Sequence, residues 1–320
     1  MISGPMPSDL IYISNVQLQF VYMEKLLFTG GTGFLGRNIK PILDENYEVT
    51  TIGIMDADMI KANFVSDIPE LPGRYDIVLH AAGKAHIYPK TEAEKKAFYD
   101  VNLTGTTHLC EALEKVGVPK AFIFISTMNV YGDKPGNMDT EDSRSLVGDS
   151  PYSDSKIKAE EYLTQWCNKH NVILGILRPS LLAGKGAPGN LGAMINGIRT
   201  GAYLSIAGGK ARKSVLMVDD IARLVPLVAK KGGVYNVCDD HNPSFGELEA
   251  TIAKQLGKSK PISIPYWMAK CLAVIGDVFS FFPINSSRLE KIVTSDTWSN
   301  EKAKRQLGWQ PMDVIENFKI

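Results

Sequence analysis

Two groups of residues have side chains and spacing that could carry out chemistry. Tyr152 and Lys156 lie four residues apart just after Pro151, so in a helix they share one face. An ammonium group near a phenol lowers the pKa of the phenol, and such a tyrosine can exchange a proton with an alcohol near neutral pH. The pair alone is common on helix surfaces. Ser126 and Thr127 strengthen the case because they follow an apolar run, which places them at the carboxyl end of a predicted strand, where ligands bind.

A glycine-rich run follows the apolar residues 26–28. Its sequence, T-G-G-T-G-F-L-G at 29–36, contains both G-x-G-x-x-G and G-x-x-G-x-x-G spacings. Such glycines permit a tight turn, let the backbone approach a pyrophosphate and allow close packing of the next helix, whose N-terminus attracts phosphates. We therefore expect a dinucleotide cofactor to contact Gly30, Gly33, Phe34, Leu35 and Gly36.

The residues after the second and third predicted strands bear on which dinucleotide binds. The second strand ends near Gly53, with Asp56 and Asp58 beyond it and no arginine nearby to accept a 2′-phosphate. This favours NAD and leaves NADP open. Asp67 and Ile68 follow the apolar run 63–65, and we expect them to meet the adenine edge, with a surface turn as the alternative.

Short apolar runs alternate with helical segments through the first half of the chain. The predicted strands cover residues 26–28, 48–54, 75–80, 121–126 and 172–177, and the predicted helices cover 38–46, 95–117 and 155–170. Continuous apolar strands alternating with helices predict a parallel sheet covered on both faces. The expected fold is therefore α/β, a Rossmann-type doubly wound parallel sheet with a smaller C-terminal α/β substrate lobe.

We divide the chain into three parts. Residues 1–22 form an N-terminal extension of unknown role, 23–180 a dinucleotide-binding domain and 181–320 a substrate lobe. In the lobe we predict strands at 215–218 and 234–237 and helices at 193–199, 245–256 and 266–282. The helix at 266–282 is unusually apolar. We expect it to close the lobe or to contact a second copy, rather than to attach the protein to a membrane, because it carries few cations.

Composition excludes several classes of protein. Lys plus Arg is 35 and Asp plus Glu is 35, a balance that argues against coating nucleic acid or an anionic membrane but leaves room for a local basic pocket. Four scattered cysteines and five histidines without ligand spacing predict neither disulfides nor a metal site. No apolar run has the length of a transmembrane helix, and no secretory signal stands out, so we expect a cytoplasmic protein.

Several ordered stretches resemble extended short-chain dehydrogenases/reductases of the NAD-dependent sugar epimerase/dehydratase family. The resemblance runs from about Glu24 to the C-terminus, and it implies that segments near 214–238 return to the first domain. It is carried by the 29–36 run together with H-A-A-G (80–83), V-N-L-T-G-T (101–106), F-I-F-I-S-T-M-N-V-Y-G (122–132), P-Y-S-D-S-K (151–156), L-R-P (177–179), V-D-D-I-A (218–222), Y-N-V (235–237) and L-G-W-Q-P (307–311).

The resemblance implies a role for each matching residue. Thr127, Tyr152 and Lys156 would be catalytic, and Tyr152 and Lys156 would also contact the cofactor. Further cofactor contacts would come from Ala81, Ala82, Gly83, Asn102, Ser126 and Pro179. Contacts with the substrate would come from Lys84, Asn190, Arg212, Lys213 and Arg288, for several of which a solvated surface role is the alternative. From Arg178 to Lys213 the chain has six Lys or Arg and no acid, which suits a dianionic substrate.

The resemblance also implies an activity. It indicates an NAD(P)-dependent enzyme acting at C4 of a nucleotide-activated hexose, expected to be UDP-linked, as a 4-epimerase or a 4-ketoreductase in surface-polysaccharide synthesis. Dehydratases of the family carry Asp-Glu after the active-site threonine, whereas this chain has Met128 and Asn129, so dehydration is disfavoured. Reduction of a non-sugar carbonyl and a non-catalytic cofactor-sensing role are the alternatives. The family expectation for assembly is a homodimer.

Overall fold

The computed structural model describes residues 23–85, 87–278 and 284–320. The strands are β1 (Glu24–Thr29), β2 (Tyr47–Gly53), β3 (Ile60–Lys61), β4 (Ile77–His80), β5 (Ala121–Ile125), β6 (Asn137–Asp139), β7 (Ile173–Pro179), β8 (Leu181–Ala183), β9 (Ser205–Ile206), β10 (Val215–Met217), β11 (Gly233–Val237), β12 (Ser263–Ile264) and β13 (Thr297–Trp298). The α-helices are α1 (Phe34–Leu43), α2 (Glu92–Tyr99), α3 (Gly105–Val116), α4 (Pro151–His170), α5 (Gly189–Thr200), α6 (Asp219–Lys231), α7 (Phe245–Gln255), α8 (Tyr266–Val278), α9 (Ser286–Val293), α10 (Glu301–Leu307) and α11 (Val314–Asn317). The predicted extension at 1–22 and the end of the helix predicted at 266–282 lie outside the described residues.

Seven parallel strands form the central sheet in the order β11-β7-β5-β4-β1-β2-β3. The order reverses direction between β1 and β4, which pair with each other. Ligands bind outside the carboxyl ends of the strands at such a reversal. The predicted doubly wound α/β fold is therefore confirmed, and its topology fixes where a site should lie.

Helices cover both faces of the sheet because successive strand residues alternate in direction. Leu26 and Phe28 of β1 point to one face, where they join a buried cluster with α1 and α6. Leu27 points to the other face and packs with residues of α3 and α4. A sheet buried on both faces requires the continuous apolar strands from which it was predicted.

Two helices begin earlier than the sequence predicts. Helix α1 begins at Phe34 rather than at residue 38, because Gly36 packs against the carbonyls of the glycine loop and so belongs to the first turn. Helix α4 begins at Pro151 rather than at 155, with Ser150 capping it through a reciprocal hydrogen bond with Ser153. Proline suits this first position because the N–H it lacks would have no helical partner.

The predicted helix at 95–117 consists of three parts. Helix α2 continues into a wider π-helical turn over Asp100–Thr104, and this turn continues into α3. Such turns add a residue to a helix and are frequent at functional sites. The turn contains Asn102, whose role is described below.

Elements of the second half of the chain form two further packed clusters and contribute one strand to the central sheet. Helices α5, α7 and α11 share a buried cluster with β10, and α8 and α9 pack on β9 and β12. Strand β11 pairs with β7 at the edge of the central sheet. The domain division at residue 180 stays a prediction. Within the described residues, no helix is both long and apolar enough to cross a membrane.

Candidate active site

Tyr152 and Thr127 meet at the carboxyl end of β5. Thr127 lies two residues beyond the strand and its hydroxyl also accepts a hydrogen bond from the N–H of Asn129, at 3.2 Å. Tyr152 is in the first turn of α4, and its phenol faces the Thr127 side chain. Burial raises the pKa of Tyr152 above its usual value of 10, and the nearby Thr127 hydroxyl acts in the opposite direction. The structure thus places two hydroxyl groups where one alcohol oxygen could contact both.

Lys156 follows Tyr152 by one helical turn and is 4% exposed. Its Nζ donates to the carbonyl of Ile125 at 2.9 Å and lies 4.4 Å from the centre of the Phe124 ring. Burial lowers the pKa of Lys156 to about 8, while the carboxylate of Glu160 raises it. The lysine was expected to lower the pKa of Tyr152. In this structure burial dominates at the phenol, and the ammonium is held against a backbone carbonyl.

A buried ion pair lies behind Lys156. Arg178 donates to both carboxylate oxygens of Glu160 and, through a third nitrogen, to the Tyr131 hydroxyl at 2.9 Å. Ser126 donates its hydroxyl hydrogen to Glu160, and its contact with the cofactor stays a prediction. Sequence reasoning missed Glu160, although it falls four residues after Lys156 and so on the same face of α4.

Asn102 connects the loop after β4 to α4. Its side-chain oxygen accepts from the N–H of Lys84 at 2.7 Å, and its NH2 group donates to the Lys84 carbonyl at 3.1 Å and to Ser155 at 2.9 Å. Gly83 packs into this junction: a Cβ there would lie 3.0 Å from Asn102 and 3.3 Å from the Lys156 Nζ. Asn102 therefore fixes the backbone next to the lysine, and its predicted contact with the cofactor stays a prediction.

The glycine loop has the shape that a bound pyrophosphate needs. Gly30 has a φ of 78°, in the left-handed region, and a Cβ there would lie 2.8 Å from the N–H of Ala82. Gly33 starts α1 without any side-chain cap, which leaves N–H groups of the first turn available to an anion. Phe34 and Leu35 form the first residues of that turn. These residues fit the dinucleotide that the sequence predicts.

The loop after β4 is fixed by a buried hydrogen-bond chain that sequence reasoning did not identify. The Thr29 hydroxyl accepts a hydrogen bond from the N–H of Ala82 at 3.0 Å and is hydrogen-bonded to Nδ1 of His80 at 2.7 Å. Nε2 of His80 is hydrogen-bonded to the Thr106 hydroxyl at 2.8 Å. Burial, with a contribution from the charge of Lys156, lowers the pKa of His80 to about 3. His80 is therefore neutral at physiological pH and holds Thr29 and Thr106 together through its two ring nitrogens.

Asp58 lies at the end of β2, beside the glycine loop. Its Oδ2 accepts from the N–H of Met55 at 3.1 Å, whereas its buried Oδ1 has no hydrogen-bond partner among the described residues. The N–H of the neighbouring Met59 donates to the Thr51 hydroxyl. The methyl group of Thr51 lies 2.6 Å from where a Cβ on Gly31 would be. An unpaired carboxylate oxygen here suits a ribose hydroxyl.

Two further predicted cofactor segments lie at carboxyl ends of strands. Asp67 is exposed and accepts from Ser66 at 2.6 Å in the loop that follows β3, and Ile68 is half-buried beside it. Pro179 is the last residue of β7 and is buried opposite Val237. Their contacts with a cofactor stay predictions.

The predicted substrate residues do not converge. Lys84 lies close to Tyr152, since its Nζ is 5.8 Å from the Phe98 ring, which neighbours the Tyr152 ring at 6.1 Å. Arg212 and Lys213 point in opposite directions, as successive residues of an extended segment do. The Arg212 guanidinium contacts Asn242 and Glu247, whereas Lys213 approaches Asp296 at 3.8 Å.

Helix α9 adds a cation that sequence reasoning missed. Lys291 forms an ion pair at 3.2 Å with Asp133, in the loop that follows Thr127. The pKa of Lys213 is lowered mainly by the burial of Lys213 and further by the charge of Lys291. Lys291 follows Arg288, an exposed predicted ligand, by almost one turn of α9. Asn190 is exposed at the start of α5. Lys213 and Lys291 therefore lie close enough for the charge of Lys291 to act on Lys213.

The described residues contain no cluster of side chains that could bind a metal ion. Within residues 23–85, 87–278 and 284–320, no group of three or more His, Cys, Asp or Glu side chains could hold an ion. The three cysteines at 110, 167 and 238 are buried and Cys271 is exposed, all as free thiols.

Comparisons with known proteins agree with this geometry. The model of the NAD dependent epimerase/dehydratase family matches residues 26–238. The chain is 25% identical to a UDP-glucose 4-epimerase from Vibrio cholerae over 92% of its own length and 94% of the relative's. It is 26% identical to an Escherichia coli N-acetyl-alpha-D-glucosaminyl-diphospho-ditrans,octacis-undecaprenol 4-epimerase, covering 87% and 88% of the two chains. A solved UDP-N-acetylglucosamine 4-epimerase from Methanobrevibacter ruminantium superposes with a TM-score of 0.73 at 20% identity, covering 92% and 96%.

Proposed function

The chain belongs to the NAD dependent epimerase/dehydratase family, and from that premise we propose that it acts at C4 of a hexose carried on a nucleoside diphosphate, with UDP as the nucleotide. The observation that carries the proposal is the approach of the Tyr152 phenol to the Thr127 hydroxyl beside buried Lys156. Two hydroxyls that converge on one point suit a single carbinol oxygen, and the adjacent glycine loop suits a dinucleotide.

Each side chain has a defined task in this proposal. Tyr152 removes the proton of the C4 hydroxyl, and Thr127 donates a hydrogen bond to the same oxygen. Lys156 keeps a positive charge next to the phenol and the cofactor ribose, which favours the phenolate form of Tyr152. Asn102 holds the loop at Gly83 in position through its bonds with Lys84. NAD, when bound, supplies the hydride acceptor and donor for C4.

The proposed cofactor contacts follow the same geometry. The glycine loop and the first turn of α1 would hold the pyrophosphate, and the unpaired Oδ1 of Asp58 would accept a ribose hydroxyl. A carboxylate at this position repels a 2′-phosphate, so NAD is the preferred form in the proposal. On the substrate side, Lys213 and Lys291 are the cations best placed to neutralise a diphosphate, because they lie close enough to affect one another.

Two activities use this machinery. In a 4-epimerase the 4-keto sugar forms and is consumed in the same site, whereas in a 4-ketoreductase a 4-keto sugar arrives from solution. Dehydration needs an acid and a base after Thr127, and Met128 and Asn129 provide neither. Met128 is also buried, and Asn129 uses its N–H on Thr127.

The test is incubation of the purified protein with UDP-hexoses and with their 4-keto forms, each with and without added NAD(P)H. Interconversion of C4 epimers without consumption of NAD(P)H supports the epimerase. Turnover of a 4-keto sugar only with stoichiometric NAD(P)H consumption supports the reductase and excludes the epimerase. Full activity of Tyr152→Phe would contradict the mechanism in both forms.

A homodimer is part of the proposal. Its support is the family expectation that α3 and α4 form the contact. Sedimentation equilibrium across a range of protein concentrations measures the assembly state directly, and a monomer at all concentrations would contradict it.

A further inference from the structure

Helix α8 presents its large apolar side chains to solvent. Trp267, Cys271, Val274, Ile275 and Val278 are spaced to form one face of the helix, and all five are exposed. Trp267 is 65% exposed and Val278 is 74% exposed. A surface helix of a globular protein shows the opposite arrangement, with its large apolar residues turned to the core.

The inward face of α8 explains why the helix cannot rotate about its axis to bury its apolar face. It consists of small residues: Ala269 and Ala273 are fully buried, and Gly276 packs directly on the backbone of Ile284. This face lies against Ile206 and Leu289 at close range. A rotation that buried Trp267 would drive an indole into a space that accommodates only a methyl group or a hydrogen, so the fold holds the apolar face outward.

The sequence that leads into α8 is basic although the whole chain is neutral. From residue 250 to 276 there are four lysines, at 254, 258, 260 and 270, and no Asp or Glu. Lys260 lines an open cavity with Lys210, Arg212 and Glu247, just before β12 leads into α8. Lys270 lies on α8 itself, and Asp277, the acid near the end of the helix, is bonded to Ser286.

We propose that α8 and the segment before it bind the surface of an anionic lipid bilayer. Trp267, Val274, Ile275 and Val278 insert between the headgroups, and Lys258, Lys260 and Lys270 contact the anionic lipids. At 13 residues α8 is suited to lie in the plane of the membrane, and an apolar face flanked by lysines is the pattern of interfacial helices. Each lysine near such a surface adds to the attraction.

A second copy of the chain is the main competing occupant, and charge argues against it. A two-fold contact through α8 would bring the same surface together from both copies, and residues 250–276 carry four lysines and no acid. Asp277, the acid that follows on the same helix, is already bonded to Ser286, so cations would outnumber acids across such a contact. An anionic surface is complementary to the whole stretch.

The full chain contains its own reporter for this proposal. Of the four tryptophans, Trp166, Trp298 and Trp309 are at most 5% exposed, so Trp267 alone reports on the surface. The experiment mixes the protein with vesicles of phosphatidylcholine alone or with 30% phosphatidylglycerol, and measures co-sedimentation, Trp emission and quenching by iodide. We expect binding to the anionic vesicles, a blue shift and protection from iodide, each reduced about tenfold with neutral vesicles or at 0.5 M salt.

Two variants make the assignment specific. The triple variant Val274→Ser/Ile275→Ser/Val278→Ser changes only exposed side chains and keeps Trp267, and we expect at least tenfold weaker binding. The matched control Ile54→Ser/Met59→Ser removes apolar side chains of similar exposure, 64% and 67%, from the loop after β2 and should bind as the unaltered protein does. The proposal is overturned if the protein does not bind anionic vesicles, or if it binds without a change at Trp267. It is also overturned if Trp267 is protected without vesicles in a self-associated form that the triple variant abolishes.

Discussion

The side-chain amide of Asn102 is hydrogen-bonded to both backbone polar groups of Lys84. The Lys84 N–H donates to its oxygen at 2.7 Å, and its NH2 group donates to the Lys84 carbonyl at 3.1 Å and, in addition, to Ser155. One buried amide thus joins the loop after β4 to α4, one residue before Lys156. Because the loop carries proposed cofactor contacts and α4 carries proposed catalytic groups, this bond sets their relative position.

Replacement of Asn102 by Ala should affect both stability and activity. It leaves the buried backbone groups of Lys84 without partners, which costs about 1–3 kcal/mol of unfolding free energy. Asn102→Asp retains the acceptor for the Lys84 N–H but loses both donors, so we expect an intermediate effect. Urea unfolding and cofactor affinity measured on the same samples test this. Equal behaviour of both variants and the unaltered protein would contradict the role given to Asn102.

Replacement of Tyr152 by Phe should remove the proton carrier and leave the fold intact. We expect kcat to fall by about two to four orders of magnitude, the usual contribution of a positioned acid–base group, while cofactor binding changes little. The matched control is Tyr99→Phe, which deletes a hydroxyl that donates to Asp154 at 2.8 Å on the same helix. Steady-state kinetics distinguish them, and a comparable loss in both variants would show that the effect is structural.

Lys156 should set the alkaline limit of activity. Burial lowers the pKa of its ammonium to about 8 from 10.5, so the folded protein loses this charge above about pH 8. Between about pH 8 and 10.5 the unfolded chain binds more protons than the folded one, and the Lys156 contribution to the free energy of unfolding therefore rises with pH. We expect activity, in contrast, to decline above pH 8, as measured in a pH–rate profile. A profile that stays flat to pH 10 would contradict this assignment.

Glu160→Gln should move the alkaline decline in activity, called here the alkaline limb, to lower pH. The reason is that the Glu160 carboxylate raises the pKa of Lys156. The same change leaves Arg178 buried without its charge partner, which costs about 3–5 kcal/mol, so the profile must be measured at a temperature where the variant is folded. The control Lys158→Gln removes an exposed charge from the same helix and should leave the limb in place. A shift of the alkaline limb of Glu160→Gln to higher pH would contradict this prediction.

Gly36→Ala tests the close contact between the glycine loop and α1. A Cβ at Gly36 would collide with the carbonyls of Gly30 and Gly31, so we expect a loss of a few kcal/mol and weaker cofactor binding. Gly73→Ala is the matched control, because a Cβ there meets no atom within 4 Å. Thermal unfolding with and without NAD measures both effects, and equal stability of the two variants would refute the assigned contact.

The sequence predicts the elements that rest on local patterns. Continuous apolar strands gave the parallel sheet, and the Tyr152 and Lys156 spacing placed both residues on α4. What local patterns do not contain is the direction of side chains that meet across the fold. Ser126 donates a hydrogen bond to Glu160, and Arg212 and Lys213 diverge. These outcomes depend on partners from α4, α7 and the segment before β13.

The same reasoning applies to α8. Its apolar composition predicted a buried or contact helix, but which face turns inward depends on the space left by Ile206 and Leu289. That space accepts Ala269 and Ala273 only. The hydropathy of a helix gives the number of its apolar residues, whereas packing against the rest of the fold determines which of them are exposed to solvent.

The central claim, redox chemistry at C4 through Tyr152, is tested most directly by following deuterium. The protein is incubated with UDP-hexoses deuterated at C4, and with 4-keto sugars plus deuterated NAD(P)H, and the products are analysed by NMR. We predict one of two results. A 4-epimerase keeps the deuterium at C4 of the epimerised product, because the hydride taken from C4 returns to the same carbon, whereas a 4-ketoreductase places deuterium from NAD(P)H at C4. In either case Tyr152→Phe slows the reaction at least a hundredfold. Exchange of the C4 deuterium with solvent during epimerisation, reduction without deuterium at C4, or an unchanged rate in Tyr152→Phe would contradict the account.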